Sequence, residues 1–225
     1  MIKVYWADAA PLADPSVFSF YFHLMDEERQ RKIEGFRFEK DRRLSLGAGI
    51  LLKKALENEG IADARLSLTE RGKPYLAHYP DLFFNLSHSG RKVLCAVGHI
   101  PVGCDIEEIG EAPLQIVPRI FSEEEQACLK KSDSESLSRQ FYRLWTGKES
   151  FVKMSGEGIG HLTSFSVELP FHTQKIRGRT VTFFEIPCGG AYQGTLCAEG
   201  RLGMDEIEVK EADLKVWQKT VHIAE

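Results

Sequence analysis

Apolar and polar positions alternate along this chain in two successive blocks of the same kind. Residues 26–34 and 39–59 follow a helical period. In the second of these, Leu44, Leu46, Ile50, Leu51, Ala55 and Leu56 form a broad apolar stripe that ends near Gly60. Strand-like runs come next, at 65–69, 82–86 and 93–97. The order then returns: helical periodicity at 122–131 and 135–154, followed by strand-like runs at 163–169, 179–186 and 194–199.

The return extends to individual residues. Arg43-Leu44-x-x-Gly47 recurs 100 residues later as Arg143-Leu144-x-x-Gly147. Leu94-Cys95-Ala96-x-Gly98 recurs 102 residues later as Leu196-Cys197-Ala198-x-Gly200. Each match alone is short enough for chance. Two at nearly one spacing, inside one succession of elements, predict two related halves of about 100 residues. The join falls near 101–105, giving halves of 1–103 and 104–225. Helices with mostly antiparallel meanders in each half predict an α+β class: helices packed on a small sheet in each half, with a ligand cleft between the halves.

Composition narrows the function classes. Hydrophobic residues at 43% and charged residues at 28% suit a packed core. A net charge of −4, with acids and bases mixed, argues against a dedicated nucleic-acid binder. The five cysteines are odd in number and none stand in CxxC spacing, so free thiols in a reducing cytoplasm are expected. No run approaches the ~18 apolar residues of a membrane span, so a soluble, cytoplasmic protein with no membrane role is expected.

Three segments carry chemistry. In the stretch from His99 to Glu108, an extended backbone turns Val102, Cys104 and Ile106 one way and Gly103, Asp105 and Glu107 the other. Two carboxylates on one strand face, ~6.6 Å apart, suit a hard cation that takes oxygen ligands; solvated acids at a strand end are the plainer alternative. In Trp145-Thr-Gly-Lys148-Glu149-Ser-Phe-Val-Lys153, helical spacing puts Trp145, Glu149 and Lys153 on one face. That face either completes a metal–phosphate site or is an exposed ion pair beside a core tryptophan. In Phe84-Asn-Leu-Ser87-His88-Ser89-Gly-Arg91, hydroxyls, imidazole and backbone amides can grip an anion. A Ser–His nucleophile pair is disfavoured, because neighbours on a strand point to opposite faces and no Gly-x-Ser-x-Gly elbow exists. The Glu70-Arg71-Gly-Lys73-Pro74 turn and Arg29, Lys32, Arg42 and Arg43 add cations suited to several phosphates.

FNLSHSG, VGCDIE and WTGKESFVKMSGEG, in this order and separation, resemble the signature of 4′-phosphopantetheinyl transferases, and the two-halved length resembles the type that activates surfactin synthetase. The resemblance spans nearly the whole chain. It implies transfer of phosphopantetheine from coenzyme A, as cosubstrate, to a serine of an apo acyl or peptidyl carrier protein, with Mg2+ as cofactor. It further implies Asp105, Glu107 and Glu149 as metal ligands, with Glu149, Lys153 and His88 as the catalytic set. Ser87, His88, Asp105 and Lys153 are the implied phosphate and metal-side contacts to coenzyme A, while Arg43, Arg71, Lys73 and Pro74 clamp its nucleotide. The first half then holds the nucleotide, and the second the carboxylates and the carrier. With the cleft inside one chain, a monomer is expected. Residues 113–121, apolar between two prolines with Arg119 as cation, are a candidate carrier-docking segment or simply the packing of a first helix.

Overall fold

In a computed structural model, residues 1–62 and 64–215 are described. The order is β1 (Ile2–Asp8), α1 (Pro15–His23), α2 (Glu27–Glu34), α3 (Glu39–Asn58), β2 (Leu66–Leu68), β3 (Pro74–Leu76), β4 (Phe83–Ser89), β5 (Lys92–Gly98) and β6 (Val102–Glu108). Next come α4 (Val117–Ile120), α5 (Glu123–Lys130), α6 (Leu137–Ser155), β7 (Thr173–Ile176), β8 (Arg179–Ile186), β9 (Tyr192–Glu199) and β10 (Ile207–Glu211). Among these, no helix is long and apolar enough to cross a membrane.

Two four-stranded sheets result, in the orders β10-β1-β5-β4 and β6-β9-β8-β7, with β2 and β3 as a separate hairpin. In each sheet a central strand (β5, β9) is flanked by antiparallel partners, β1 and β4 in one and β6 and β8 in the other. The repeat read from the sequence is therefore a repeat of topology.

Alternation decides what each face meets. Val93, Cys95 and Val97 of β5 face a core shared with Leu44, Ile50 and Leu51 of α3. Leu94 and Ala96 point the other way, into a core shared with Val102, Cys104 and Ile106 of β6 and Leu196 and Ala198 of β9. The opposite face of the second sheet, through Val181, Phe183 and Cys197, packs on Phe151, Val152 and Met154 of α6. The order of layers is helix, sheet, sheet, helix. Burial of these apolar side chains, each contributing about 1.5–3 kcal/mol relative to exposure, holds the layers together.

Two departures from the sequence reading have physical causes. The run at 163–169 is no strand: a 3-10 turn (Ile159–Ser164) leads into a stretch whose backbone donors go to side chains. Val167 N–H bonds Glu125 Oε1 (2.8 Å) and Glu168 N–H bonds Gln174 Oε1 (2.9 Å), so no neighbouring strand pairs there. The other departure is β10, which runs parallel to β1 in the first sheet, so sheet membership does not follow chain order.

Candidate active site

β6 and β4 form edges of their sheets, and they meet through side chains rather than a ladder. Asn85 Oδ1 accepts Cys104 N–H (2.8 Å), Ser87 Oγ accepts Ile106 N–H (3.3 Å) and Ser89 Oγ accepts Glu108 N–H (3.1 Å). Every second residue of FNLSHSG thus satisfies a donor on the free edge of β6. The hydroxyls also reach the acids: Ser87 donates to Asp105 Oδ1 (2.7 Å) and Ser89 to Glu107 Oε2 (2.6 Å). Ser87, expected at a phosphate of coenzyme A, has its hydroxyl committed, since it also accepts from Lys153 Nζ (3.1 Å).

On the other side of β6 lies α6. Gly103 makes their close approach achievable: a Cβ there would fall inside the Ser150 carbonyl oxygen and the Met154 nitrogen. With the backbones in contact, Asp105 and Glu107 face Trp145, Glu149 and Lys153. Lys153 Nζ donates to Asp105 Oδ1 at 2.6 Å, and Trp145 Nε1 to Glu107 Oε1 at 3.4 Å. Among the described residues Glu149 has no hydrogen-bond partner.

The charges of this cluster are unbalanced. Burial pushes the Glu107 carboxyl above its usual range and the Asp105 charge adds to it, while the Ser89 hydrogen bond opposes. Glu149 is likewise raised, first by burial and then by Asp105. The Asp105 charge raises Lys153 against the opposing effect of burial. Asp105 is 2% exposed, and its Oδ2 is buried without a partner. Three carboxylates against one ammonium leave net negative charge, and every donor is a hard oxygen; this fits a hard cation such as magnesium. Among the described residues no three acidic, histidine or cysteine side chains yet converge on one point, because the Lys153 ammonium takes an Asp105 oxygen and Ser89 and Trp145 hold Glu107.

Cations line the other wall. His88, near the end of β4, has its imidazole pKa lowered: burial is the main cause, Lys153 and Lys32 repel its proton, and Asp41 opposes. Burial also lowers Lys32, with Arg29 repelling it. Half-buried Arg43 has no side-chain partner among the described residues, whereas Arg42 is structural, bonding the Phe36 carbonyl at 2.8 Å. The Arg71–Pro74 turn docks on the end of α6: Lys73 Nζ donates to the Met154 carbonyl (2.7 Å) and Arg71 to the Glu157 carbonyl (3.1 Å). Gly72, at φ 78°, permits that turn.

Sequence reasoning missed the roles of Asn85 and Ser89, which simple alternation from Ser87 would have supplied. It also missed the fully buried pair of Lys148 and Glu125, for which no local signal existed beyond the Ser122–Glu125 capping box.

Comparisons with known proteins bear on this arrangement. A model of the 4′-phosphopantetheinyl transferase superfamily matches residues 101–199, and one described as 4′-phosphopantetheinyl transferase, N-terminal, matches 12–99. The chain is 36% identical to the 4′-phosphopantetheinyl transferase Sfp of Bacillus subtilis (strain 168) over 66% of its own length and 68% of that protein's. It is 33% identical to a 4′-phosphopantetheinyl transferase of Bacillus pumilus, over 81% of this chain and 82% of that one. A solved holo-[acyl-carrier-protein] synthase of Thermotoga maritima aligns with 46% of this chain and 64% of that chain, at 16% identity and a TM-score of 0.34, too slight a likeness to bear on the fold. With two family models in tandem and relatives matched over most of their length, the chain belongs to the 4′-phosphopantetheinyl transferase superfamily.

Proposed function

We propose that this chain transfers the 4′-phosphopantetheine group of coenzyme A to a serine hydroxyl of an apo carrier protein and releases adenosine 3′,5′-bisphosphate. The observation that carries the reading is the placement of Asp105, Glu107, Glu149 and Lys153 on facing surfaces of β6 and α6, beside His88 and the docked Arg71–Lys73 turn.

Asp105, Glu107 and Glu149 are the residues that would hold magnesium. When bound, the ion supplies charge neutralisation on the pyrophosphate. Glu149 accepts the serine proton, a task suited to an unpartnered carboxylate of raised basicity. As the proton leaves, the serine oxygen bonds to the phosphorus of the phosphopantetheine, and that phosphorus releases its oxygen bridge to the bisphosphate. Lys153 and His88 stand where the leaving group gathers charge. Ser87 contributes by holding Asp105. Arg43, Arg71, Lys73 and Pro74, all before residue 103, grip the nucleotide; the carboxylates and the carrier contacts belong to 104–225. The free thiols among the described residues suit a reducing cytoplasm.

The test is incubation with coenzyme A, magnesium and a panel of apo carriers, followed by intact-mass measurement. One carrier should gain a single phosphopantetheine, and EDTA should stop the gain. No mass change on any carrier refutes the reading.

A further inference from the structure

Lys148 and Glu125 are 0% and 2% exposed, so neither can touch a substrate. Lys148 Nζ donates to Glu125 Oε2 (2.6 Å) and to the Phe165 carbonyl (2.6 Å), and lies 4.3 Å from the centroid of the Phe165 ring. The carboxylate is used completely. Its Oε2 also accepts Ser122 N–H (2.8 Å) and its Oε1 accepts Val167 N–H (2.8 Å). Stability alone is a poor reason for such a pair, since well-packed apolar replacements for buried ion pairs are often neutral or stabilising. What apolar side chains cannot reproduce is direction. These bonds fasten three segments at fixed points: the start of α5, the middle of α6, and the stretch 165–167.

That stretch is the far end of the loop after α6. The near end is held by Gly156 N–H on the Val152 carbonyl (2.9 Å). In between, Gly156 and Gly158 both have positive φ, so the segment before the 3-10 turn (Ile159–Ser164) takes its position from the two ends and from the ion pair of Glu157 with Arg177. Yet the loop bears the Glu157 carbonyl that receives Arg71 (3.1 Å), next to the Met154 carbonyl that receives Lys73 (2.7 Å).

We propose that the Lys148–Glu125 pair is a positioning device for coenzyme A: by pinning residues 165–167 it holds the loop wall against which the Arg71–Lys73 turn is docked. This rests on the reading of that turn as the nucleotide clamp.

The decisive variant is Glu125→Leu/Lys148→Met, which removes both charges together. Its Tm should fall only modestly: loss of the charge pair itself is close to neutral, while the Ser122 and Val167 N–H groups and the Phe165 carbonyl lose a partner. Hydrogen–deuterium exchange across 155–168 should accelerate, the KM for coenzyme A should rise about tenfold, and kcat should change less than about twofold. Unchanged exchange in 155–168 overturns the proposal whatever the activity. Accelerated exchange with unchanged KM overturns the positioning role while leaving the anchor. Should the double variant fail to fold, Glu125→Gln keeps the side-chain length and one acceptor, and the same two shifts should appear at smaller size. Failure of the unaltered protein to modify any carrier counts against the function reading instead, and the exchange measurement is independent of it.

Discussion

The two halves present related backbones with opposite chemistry. The echoes that align α3 with α6 and β5 with β9 also align single residues. His88 pairs with Val93, just before Leu94, and Glu185 pairs with Thr195, just before Leu196, so His88 and Glu185 are counterparts, as are Arg43 and Arg143. In the first half, neither Arg43 nor His88 is bonded to another side chain among the described residues. In the second, Arg143 is ion-paired with Glu185 and sits over Phe171. The carboxylates show the reverse. Asp105 pairs with Thr195 as Ala7 pairs with Val93, Glu107 stands where Ala9 does, and Glu149 stands where Gly49 does. One half leaves Arg43 and His88 without side-chain partners among the described residues and carries no acids at these positions; the other carries acids there and pairs its arginine with Glu185. Duplicated scaffolds become a single site by complementary loss. The wall with Arg43 and His88 and the wall with the three carboxylates then meet where β4 and β6 join through Ser87 and Ser89.

Erasing the acids of the second half should have the largest effect. Glu149→Ala should lower kcat by at least ~10^3-fold. Because burial and Asp105 raise the Glu149 carboxyl, its ionised form destabilises the fold, so the variant should melt slightly higher than the unaltered protein at pH 7. That difference is present above the raised value and fades as pH falls below the ordinary value of 4.5, where the carboxyl is protonated in both states. Asp105→Ala should also abolish transfer, but with a fall in Tm, because Lys153 and Ser87 lose their partner. Thermal melts from pH 4 to 8 check both signs.

Forcing β6 and α6 apart comes next. Gly103→Ala introduces a methyl where the Ser150 carbonyl and Met154 nitrogen already lie, so helix or strand must shift. Overpacking of this kind costs about 1–3 kcal/mol, and the displacement of Glu149 and Lys153 should take most of the activity with it. Denaturant melts paired with turnover measurements read both.

The cations should divide by half. Arg43→Ala and Lys73→Ala should each weaken coenzyme A binding about tenfold to a hundredfold and erase the preference for coenzyme A over its 3′-dephospho form. Arg143→Ala should change neither, since that guanidinium is already paired. Equal effects at 43 and 143, by isothermal titration, would break the comparison.

The smallest effect is expected at the carrier. Leu114 is 50% exposed, and Ile116 and Val117 are half-buried beside exposed Arg119. Leu114→Glu should raise the KM for the carrier several-fold with coenzyme A affinity and Tm unchanged. A large fall in Tm would make the segment core instead.

Much of this arrangement could be read from single residues. Alternation alone put Asp105 and Glu107 on one face, and helical spacing put Glu149 and Lys153 on another. That the two faces meet depended on Gly103, whose meaning lies in what it touches 47 residues or more away. Ser87 shows where reading stops: its hydroxyl type suited a phosphate, but the backbone of β6 and two charged side chains claim it first. The run at 163–169 has strand-like residues, and only the distant Glu125 and Gln174 decide that its donors go elsewhere.

The parallel pairing of β10 with β1 also sets a timetable. Ile2 pairs with Ile207, so β1 leaves the ribosome 205 residues ahead of the strand that pairs with it (207 − 2). Until that strand emerges β1 presents an unpaired edge, the kind of surface that recruits stray strands. Contacts so distant in sequence form slowly. A nascent chain of this protein is therefore most exposed to misassociation after β5 has joined β1 and before residue 211 emerges.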